Sequence, residues 1–146
     1  MRARETVTIP RDPADVFRWV ADPERARQWQ LGVLDYEVTV ATPEVVGTQY
    51  RETVGDAAGS VELNGCVTEY DADHVMAFEV TGRGIRVHAR YVVTPVADGC
   101  LLEVDTDVRI GGRLSFLLAP FARGKVGRQL RTELERLRRL CEAEPR

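Results

Sequence analysis

The alternation of hydrophobic and polar positions changes period along the chain, and these changes predict its strands and helices. Residues 4–9 alternate and are rich in β-branched side chains, which predicts a strand ending at Pro10. Asp12-Pro13 and Asp22-Pro23 each combine an N-cap with a proline, and predict short helices over 13–20 and from 23 to about Trp29. Period-two segments then predict six further strands, over residues 34–40, 48–54, 60–70, 75–81, 85–94 and 100–110.

The C-terminal part changes to a helical period. Apolar residues recur every three to four positions, which predicts a long amphipathic helix: Leu114, Leu117, Leu118, Phe121, Leu130, Leu134, Leu137 and Cys141. Pro120, Gly124 and Gly127 predict a kink or break between residues 121 and 127. A curved antiparallel sheet of about seven strands, in the order β-α-α-β6-α, against one long helix is an α+β architecture. We expect a single domain over residues 1–146.

The alternation also predicts which side chains face the helix. One face of the strand over 34–40 carries Leu34, Tyr36, Val38 and Val40. Matching faces across the turns places Val67, Phe78, Val87 and Val108 in one row, with Val104 beside Tyr91. These rows would form the floor of an apolar space, with Leu117 and Phe121 of the helix as its lid.

Several short motifs accompany this order of elements. They are Ile9-Pro10, Ala14-Asp15-Val16-Phe17, the segment from Val20 through Asp22-Pro23 to Trp29, Val46-Gly47-Thr48, Val67-Thr68-Glu69-Tyr70-Asp71, and Tyr91-Val92-Val93-Thr94-Pro95 with Asp98-Gly99. Together they resemble the START-like SRPBCC superfamily, which has the helix-grip fold, and within it the polyketide cyclase/dehydrase-type proteins. The resemblance covers nearly the whole chain. It implies a fold, a ligand cavity and a gate near the first half of the long helix, but no catalytic residue.

Glu52 is the main candidate for chemistry. It faces inward if Tyr50 and Val54 do, and its predicted cross-strand neighbour is the apolar Leu63. Burial there would raise the pKa of the carboxyl group, which suits a general acid/base or a ligand-orienting group. The alternatives are a solvated cavity mouth, or a bulge that turns Glu52 outward. We expect Glu52 to be the only buried acid, since Glu69, also predicted to face inward, lies too far along the sheet to share a proton with it.

The predicted ligand-binding set is mostly apolar. It comprises Tyr36, Tyr50, Leu63, Val67, Phe78, Val87, Tyr91, Val104, Val108, Leu117 and Phe121. Trp29 is expected to pack the second helix onto the sheet rather than to stack on a ligand. No Ser-His or Cys-His arrangement is evident, His88 is predicted to face outward, and three widely spaced cysteines predict neither a disulfide framework nor a zinc site. We therefore expect no metal and no cofactor.

Charge is segregated along the chain. The net charge is −3, yet residues 109–140 carry nine Arg or Lys residues against two Glu. A solvated helix face is the main interpretation, and attraction to an anionic ligand, membrane surface or partner is the alternative. The N-terminus lacks the apolar run of a signal peptide, which favours a cytoplasmic location. Nucleic-acid binding is not expected, and an exposed strand edge would permit a homodimer.

These observations lead to three functional hypotheses. The first is a module that binds a small hydrophobic or amphipathic molecule, such as a lipid, polyketide, isoprenoid or aromatic compound. The second is a cyclase, aromatase or dehydratase that uses an acid/base group in the same cavity. The third is lipid transfer or membrane contact through the basic C-terminal helix.

Overall fold

The described part of the chain forms one seven-stranded antiparallel sheet and three helices. The computed structural model of the protein describes residues 1–56, 59–111 and 115–145, and of residues 56 and 115–124 it describes the backbone only. The elements in chain order are β1 (Arg2–Ile9), α1 (Pro13–Ala21), α2 (Pro23–Trp29), β2 (Val33–Val40), β3 (Gln49–Asp56), β4 (Gly59–Asp71), β5 (Val75–Gly82), β6 (Ile85–Val96), β7 (Gly99–Ile110) and α3 (Ser115–Ala143). The α+β fold and the order of its elements are as predicted.

The strands lie in the order β1-β7-β6-β5-β4-β3-β2, so the first strand pairs with the last and β2 forms a free edge. From β2 to β7, each strand pairs with the next strand in the chain as a hairpin. Such antiparallel neighbours need only a short connection. Proline at the first position starts both short helices, and the Asp22 side chain accepts a hydrogen bond from the Glu24 amide at 3.0 Å.

The core lies between the concave face of the sheet and the helices. The second half of α3 places Leu130, Leu134, Leu137 and Cys141 on one buried stripe. That stripe packs along β1 and against α1 and α2. Trp29 is fully buried, and its indole Nε1 donates to the Trp19 carbonyl oxygen at 2.9 Å, so it packs α2 onto the core.

Two details of the predicted register are wrong. Val67 pairs with Phe78 and Val87 with Val108, but Phe78 pairs with Ala89 rather than with Val87. The reason is a two-residue hairpin loop at Arg83-Gly84, with φ of 52° and 75°. This loop pairs Gly82 with Ile85, and so moves β6 by two residues against β5 while keeping the same side chains inward.

The second register error lies in β2 and β4, where irregularities change which side chains face inward. A register shift between Val33 and Asp35 turns Leu34 out of the inward row, whereas Tyr36 stays partly buried. Val38 lies on the same face as Tyr36 but is about half exposed on this edge strand, and Val40, equally exposed, follows a second shift after Val38. A shift between Val67 and Glu69 likewise puts Glu69 on the outer face.

Two further predictions, for Glu69 and for α3, differ from the structure. On the outer face Glu69 binds Arg90 through two hydrogen bonds of 2.9 and 3.1 Å. The helix α3 runs without interruption from Ser115 to Ala143, so of the kink or break predicted between residues 121 and 127, the break is wrong.

Candidate functional site

A cavity of about 730 Å³ lies between the concave face of the sheet and α3. Its walls come from the loop after α2, from β2 through β7, and from the helix turns that contain Lys125 to Glu133. Most of the lining is apolar, and these side chains are Leu31, Val33, Val54, Leu63, Phe78, Val80, Val87, Ala89, Val108, Val126 and Leu130. The volume is within the range of small-molecule sites, roughly 300–1,000 Å³.

A continuous row of aromatic rings runs beneath and beside the cavity. Neighbouring ring centroids lie 5.7 Å apart for Tyr36–Tyr50, 6.5 Å for Tyr50–Phe78, 5.6 Å for Phe78–Tyr91 and 6.0 Å for Tyr91–Trp29. All but the stacked Phe78–Tyr91 pair meet edge to face, a favourable geometry for aromatic rings. The row links α2 to the free edge of the sheet and gives the cavity a rigid aromatic side.

A glycine makes room for one of these rings. The Tyr50 ring lies over Gly65 on the neighbouring strand, where a Cβ atom would stand 2.1 Å from the ring. Any other residue at position 65 would therefore push Tyr50 away from Tyr36 and Phe78.

Polar groups converge at one end of the cavity. The Tyr36 hydroxyl donates a hydrogen bond to Gln30 Oε1, and the Gln30 side chain also lowers the pKa of Tyr91 slightly against the effect of burial. Burial raises the pKa of both tyrosines, so their hydroxyls stay protonated. Gln30 thus ties β2 to the end of α2.

Glu52 lies at this end, between Tyr36 on β2 and Leu63 on β4 in one cross-strand row. The pairing with Leu63 is as predicted, and the carboxyl group lines the cavity. Burial, and secondarily the negative charge of Glu133, raise the pKa of Glu52 from 4.5 to about 7. No hydrogen bond or ion pair to Glu52 occurs within the described part of the chain.

Glu133 is a second buried carboxyl group in the same cavity, and the expectation that Glu52 is the only one is wrong. Glu133 is only 9% exposed. Its Oε1 accepts hydrogen bonds from the Leu31 amide at 3.1 Å and from Gln129 Nε2 at 3.0 Å. Burial raises the pKa of Glu133, and the two hydrogen bonds oppose that effect. The sequence could have predicted that Glu133 is buried, because it lies three residues after Leu130 and four before Leu137, on the same face of the helix.

The exposed rim of the cavity is basic. Lys125 and Arg128 line the opening and are exposed. Further along α3, Arg131 pairs with Glu5 of β1 at 2.9 Å, and Arg136 donates to the Gln28 carbonyl oxygen at 3.0 Å. The described cations of α3 after the rim thus bind neighbouring acidic or carbonyl groups.

The structure brings together seven of the twelve predicted site residues, which are Tyr36, Glu52, Leu63, Phe78, Val87, Tyr91 and Val108. Tyr50, Val67 and Val104 lie outside the lining: Tyr50 lies over Gly65, Val67 is buried in β4, and Val104 is fully buried in the core. The side chains of Leu117 and Phe121, and with them the predicted lid, lie outside the described residues. Val80 and Ala89 were missed as lining residues, although their inward parity could have identified them.

Comparisons with known proteins agree on family and fold. The family model for "Polyketide cyclase / dehydrase and lipid transport" matches residues 1–142. The protein TTHA0849 from Thermus thermophilus superposes with a TM-score of 0.81 at 19% identity, over 98% of each chain. A START superfamily protein from Mycobacterium smegmatis gives a TM-score of 0.77 at 18% identity, over 95% of this chain and 98% of that one. Such identities establish a shared fold alone. No curated protein sequence matches the chain.

No helix in the described part of the chain is long and apolar enough to cross a membrane.

Proposed function

Since the chain belongs to the polyketide cyclase/dehydrase and lipid transport family, we propose that its cavity binds a small amphipathic molecule. The observation that carries this proposal is the cavity itself, about 730 Å³ with apolar walls and polar groups gathered at one end. The apolar body of the ligand would lie along Leu63, Val80, Val87 and Val108. Its polar group would lie near Glu52.

The arrangement supports binding because it combines the two features of small-molecule sites. Burying an apolar ligand surface is favourable by roughly 25 cal/mol per Å². A few placed polar groups then orient the ligand, and here Gln30 and Tyr36 are held by their mutual hydrogen bond, and Tyr91 by its packing against Phe78 and Trp29, before any ligand arrives.

Filling the cavity tests this proposal. Val87 and Val92 are both partly buried on β6, but Val87 lines the cavity whereas Val92 lies on the outer face of the sheet. N-phenylnaphthylamine, a neutral probe whose fluorescence rises in apolar surroundings, is titrated into wild-type protein, Val87→Trp and Val92→Trp. We expect saturable binding by wild type and Val92→Trp, and a loss of about tenfold or more in affinity for Val87→Trp.

Circular dichroism and thermal melts of both variants establish that they are folded. Equal affinity in the two tryptophan variants would contradict binding in the cavity, because only Val87→Trp occupies it. No binding by the wild-type protein would contradict the proposal as well.

A second candidate function is acid/base catalysis on a polyketide-like substrate. It is favoured by a carboxyl group whose pKa is about 7 and which lies in the same cavity as a second carboxyl group. Glu52 would exchange a proton with the substrate, while the tyrosines and Gln30 hold it. Loss of turnover in Glu52→Gln with substrate affinity retained would support this function, and undiminished turnover would remove Glu52 from it.

A further inference from the structure

The polar end of the cavity holds two carboxyl groups and, among the described residues, no cation within ion-pair distance of either. Arg136 acts on Glu133 from further away and lowers its pKa, but its guanidinium donates to the Gln28 carbonyl oxygen. Glu52 has no hydrogen bond or ion pair within the described residues. Glu133 has two neutral donors, both on Oε1, and no donor in the described part of the chain reaches its Oε2. Lys125 and Arg128 line the opening, but neither comes within ion-pair distance of either carboxyl group.

None of the described groups that interact with Glu52 carries a positive charge. They are Glu133 from α3, Tyr36 from β2 and Tyr91 from β6, with Tyr50 two residues away on β3 itself. A carboxylate in apolar surroundings is costly unless it is paired, and a second carboxylate nearby adds repulsion. One positive charge at this end of the cavity would relieve both effects.

Anionic, neutral and cationic head groups would interact differently with Glu52 and Glu133. An anionic head would meet two acidic groups away from the basic rim. A neutral hydroxyl could bond one carboxyl group but would leave the repulsion between them. An ammonium group has three donors and a positive charge, so it can bond both carboxylates by charge-assisted hydrogen bonds.

We propose that the ligand is an amphipathic cation, an apolar body carrying a protonated amine that contacts Glu52 and Glu133. This inference rests on the proposed function, because it names the chemical class of the molecule that the cavity binds.

The proposal predicts a pH dependence. The pKa of Glu52 is about 7, so an ammonium ligand must bind the ionised form and lower that pKa. An alkylamine stays protonated to about pH 10. Its affinity should therefore rise between about pH 6 and pH 8, whereas that of a neutral ligand should not.

The test compares three ligands with the same apolar chain and different heads. Decylamine, decanol and decanoate, each below its micelle concentration, displace N-phenylnaphthylamine at about pH 8. We expect decylamine to bind about tenfold or more tightly than decanol, and decanoate to bind weakest. Glu52→Gln and Glu133→Gln should each remove most of the preference for the amine, measured as the ratio of decylamine affinity to decanol affinity in the same variant. The control Glu62→Gln, on the outer face of β4, should keep it.

The outcomes separate this inference from the proposed function. If decanol binds in the cavity as tightly as decylamine, or decanoate binds tightest, the cationic head is wrong and the proposed function stands. If no ligand and no probe binds wild-type protein, both fail. Should Glu133→Gln misfold through loss of its bond from Leu31, Glu52→Gln still decides, because Glu52 has no hydrogen bond to lose within the described residues.

Discussion

The buried acid Glu52 should make the protein less stable as pH rises, and Glu52→Gln should remove that effect. The pKa of Glu52 is raised from 4.5 to about 7 in the folded chain. Between these values the folded state binds more protons than the unfolded state, so the free energy of unfolding falls as pH increases. Each pH unit of that interval lowers the free energy of unfolding by about 1.4 kcal/mol. Ionised Glu52 therefore destabilises the fold by about 3 kcal/mol above about pH 8.

Glutamine is close to glutamate in shape and stays neutral, so the variant isolates the charge. Urea denaturation of wild type and Glu52→Gln is measured at about pH 5 and again at about pH 8.5. At the lower pH the two proteins should differ little. At the higher pH Glu52→Gln should be more stable by about 3 kcal/mol. Part of the pH dependence should remain in the variant, because the pKa of Glu133 is raised too.

The control for this experiment is Glu62→Gln. Glu62 is the neighbour of Leu63 on the outer face of β4 and its side chain is 68% exposed. Its substitution should change stability by less than about 0.5 kcal/mol at both pH values. The reasoning about Glu52 is refuted if the difference between Glu52→Gln and wild type is the same at both pH values.

The remaining predictions concern packing and the surface. Gly65→Ala should lower the free energy of unfolding by about 1–3 kcal/mol, because the added Cβ would overlap the Tyr50 ring. Gly127→Ala in α3 should raise the free energy of unfolding by about 0.5–1 kcal/mol, because no atom lies within 4 Å of the added Cβ and alanine favours the helix. A stabilised Gly65→Ala in urea denaturation would contradict this packing. Leu137→Ala, at a fully buried site, should cost about 2–5 kcal/mol in the same assay. Asp105→Asn should cost at most about 1 kcal/mol near neutral pH, because the paired arginines are exposed. Since those arginines hold the pKa of Asp105 below 3.8, that difference should shrink as pH falls below 3.8, and a constant difference would argue against the pairing.

Much of the fold was predictable because its signals are periodic. Six strands alternate with period two and the last helix repeats every three to four residues, so the type and order of the elements follow from the sequence. The pairing of Glu52 with Leu63, and of Tyr91 with Val104, followed from turn positions alone. The row that placed Phe78 beside Val87 was wrong by two residues, because the two-residue loop at Arg83-Gly84 pairs Phe78 with Ala89.

The errors for the two side chains wrongly predicted to face inward from the sheet share a physical origin. A bulge inserts one residue without a distinct residue type, so alternation alone could not show that Leu34 turns outward or that Glu69 reaches Arg90 on the outer face. Glu133 was missed for another reason. It was counted as one charge of a basic, solvated helix, although its spacing from Leu130 and Leu137 already placed it on the buried stripe. On an amphipathic helix, the face on which a residue lies predicts its burial better than its charge does.

The central claim, that a small amphipathic molecule binds between the sheet and α3, is tested most directly by methyl NMR. Decanol is titrated into protein labelled at the Leu and Val methyl groups. The account predicts that the largest shift changes occur at Leu63, Val80, Val87 and Val108 in the cavity, with little change at Val92 on the outer face. Changes confined to the exposed Val38 and Val40 at the free edge of β2, or no saturable change at all, would contradict it.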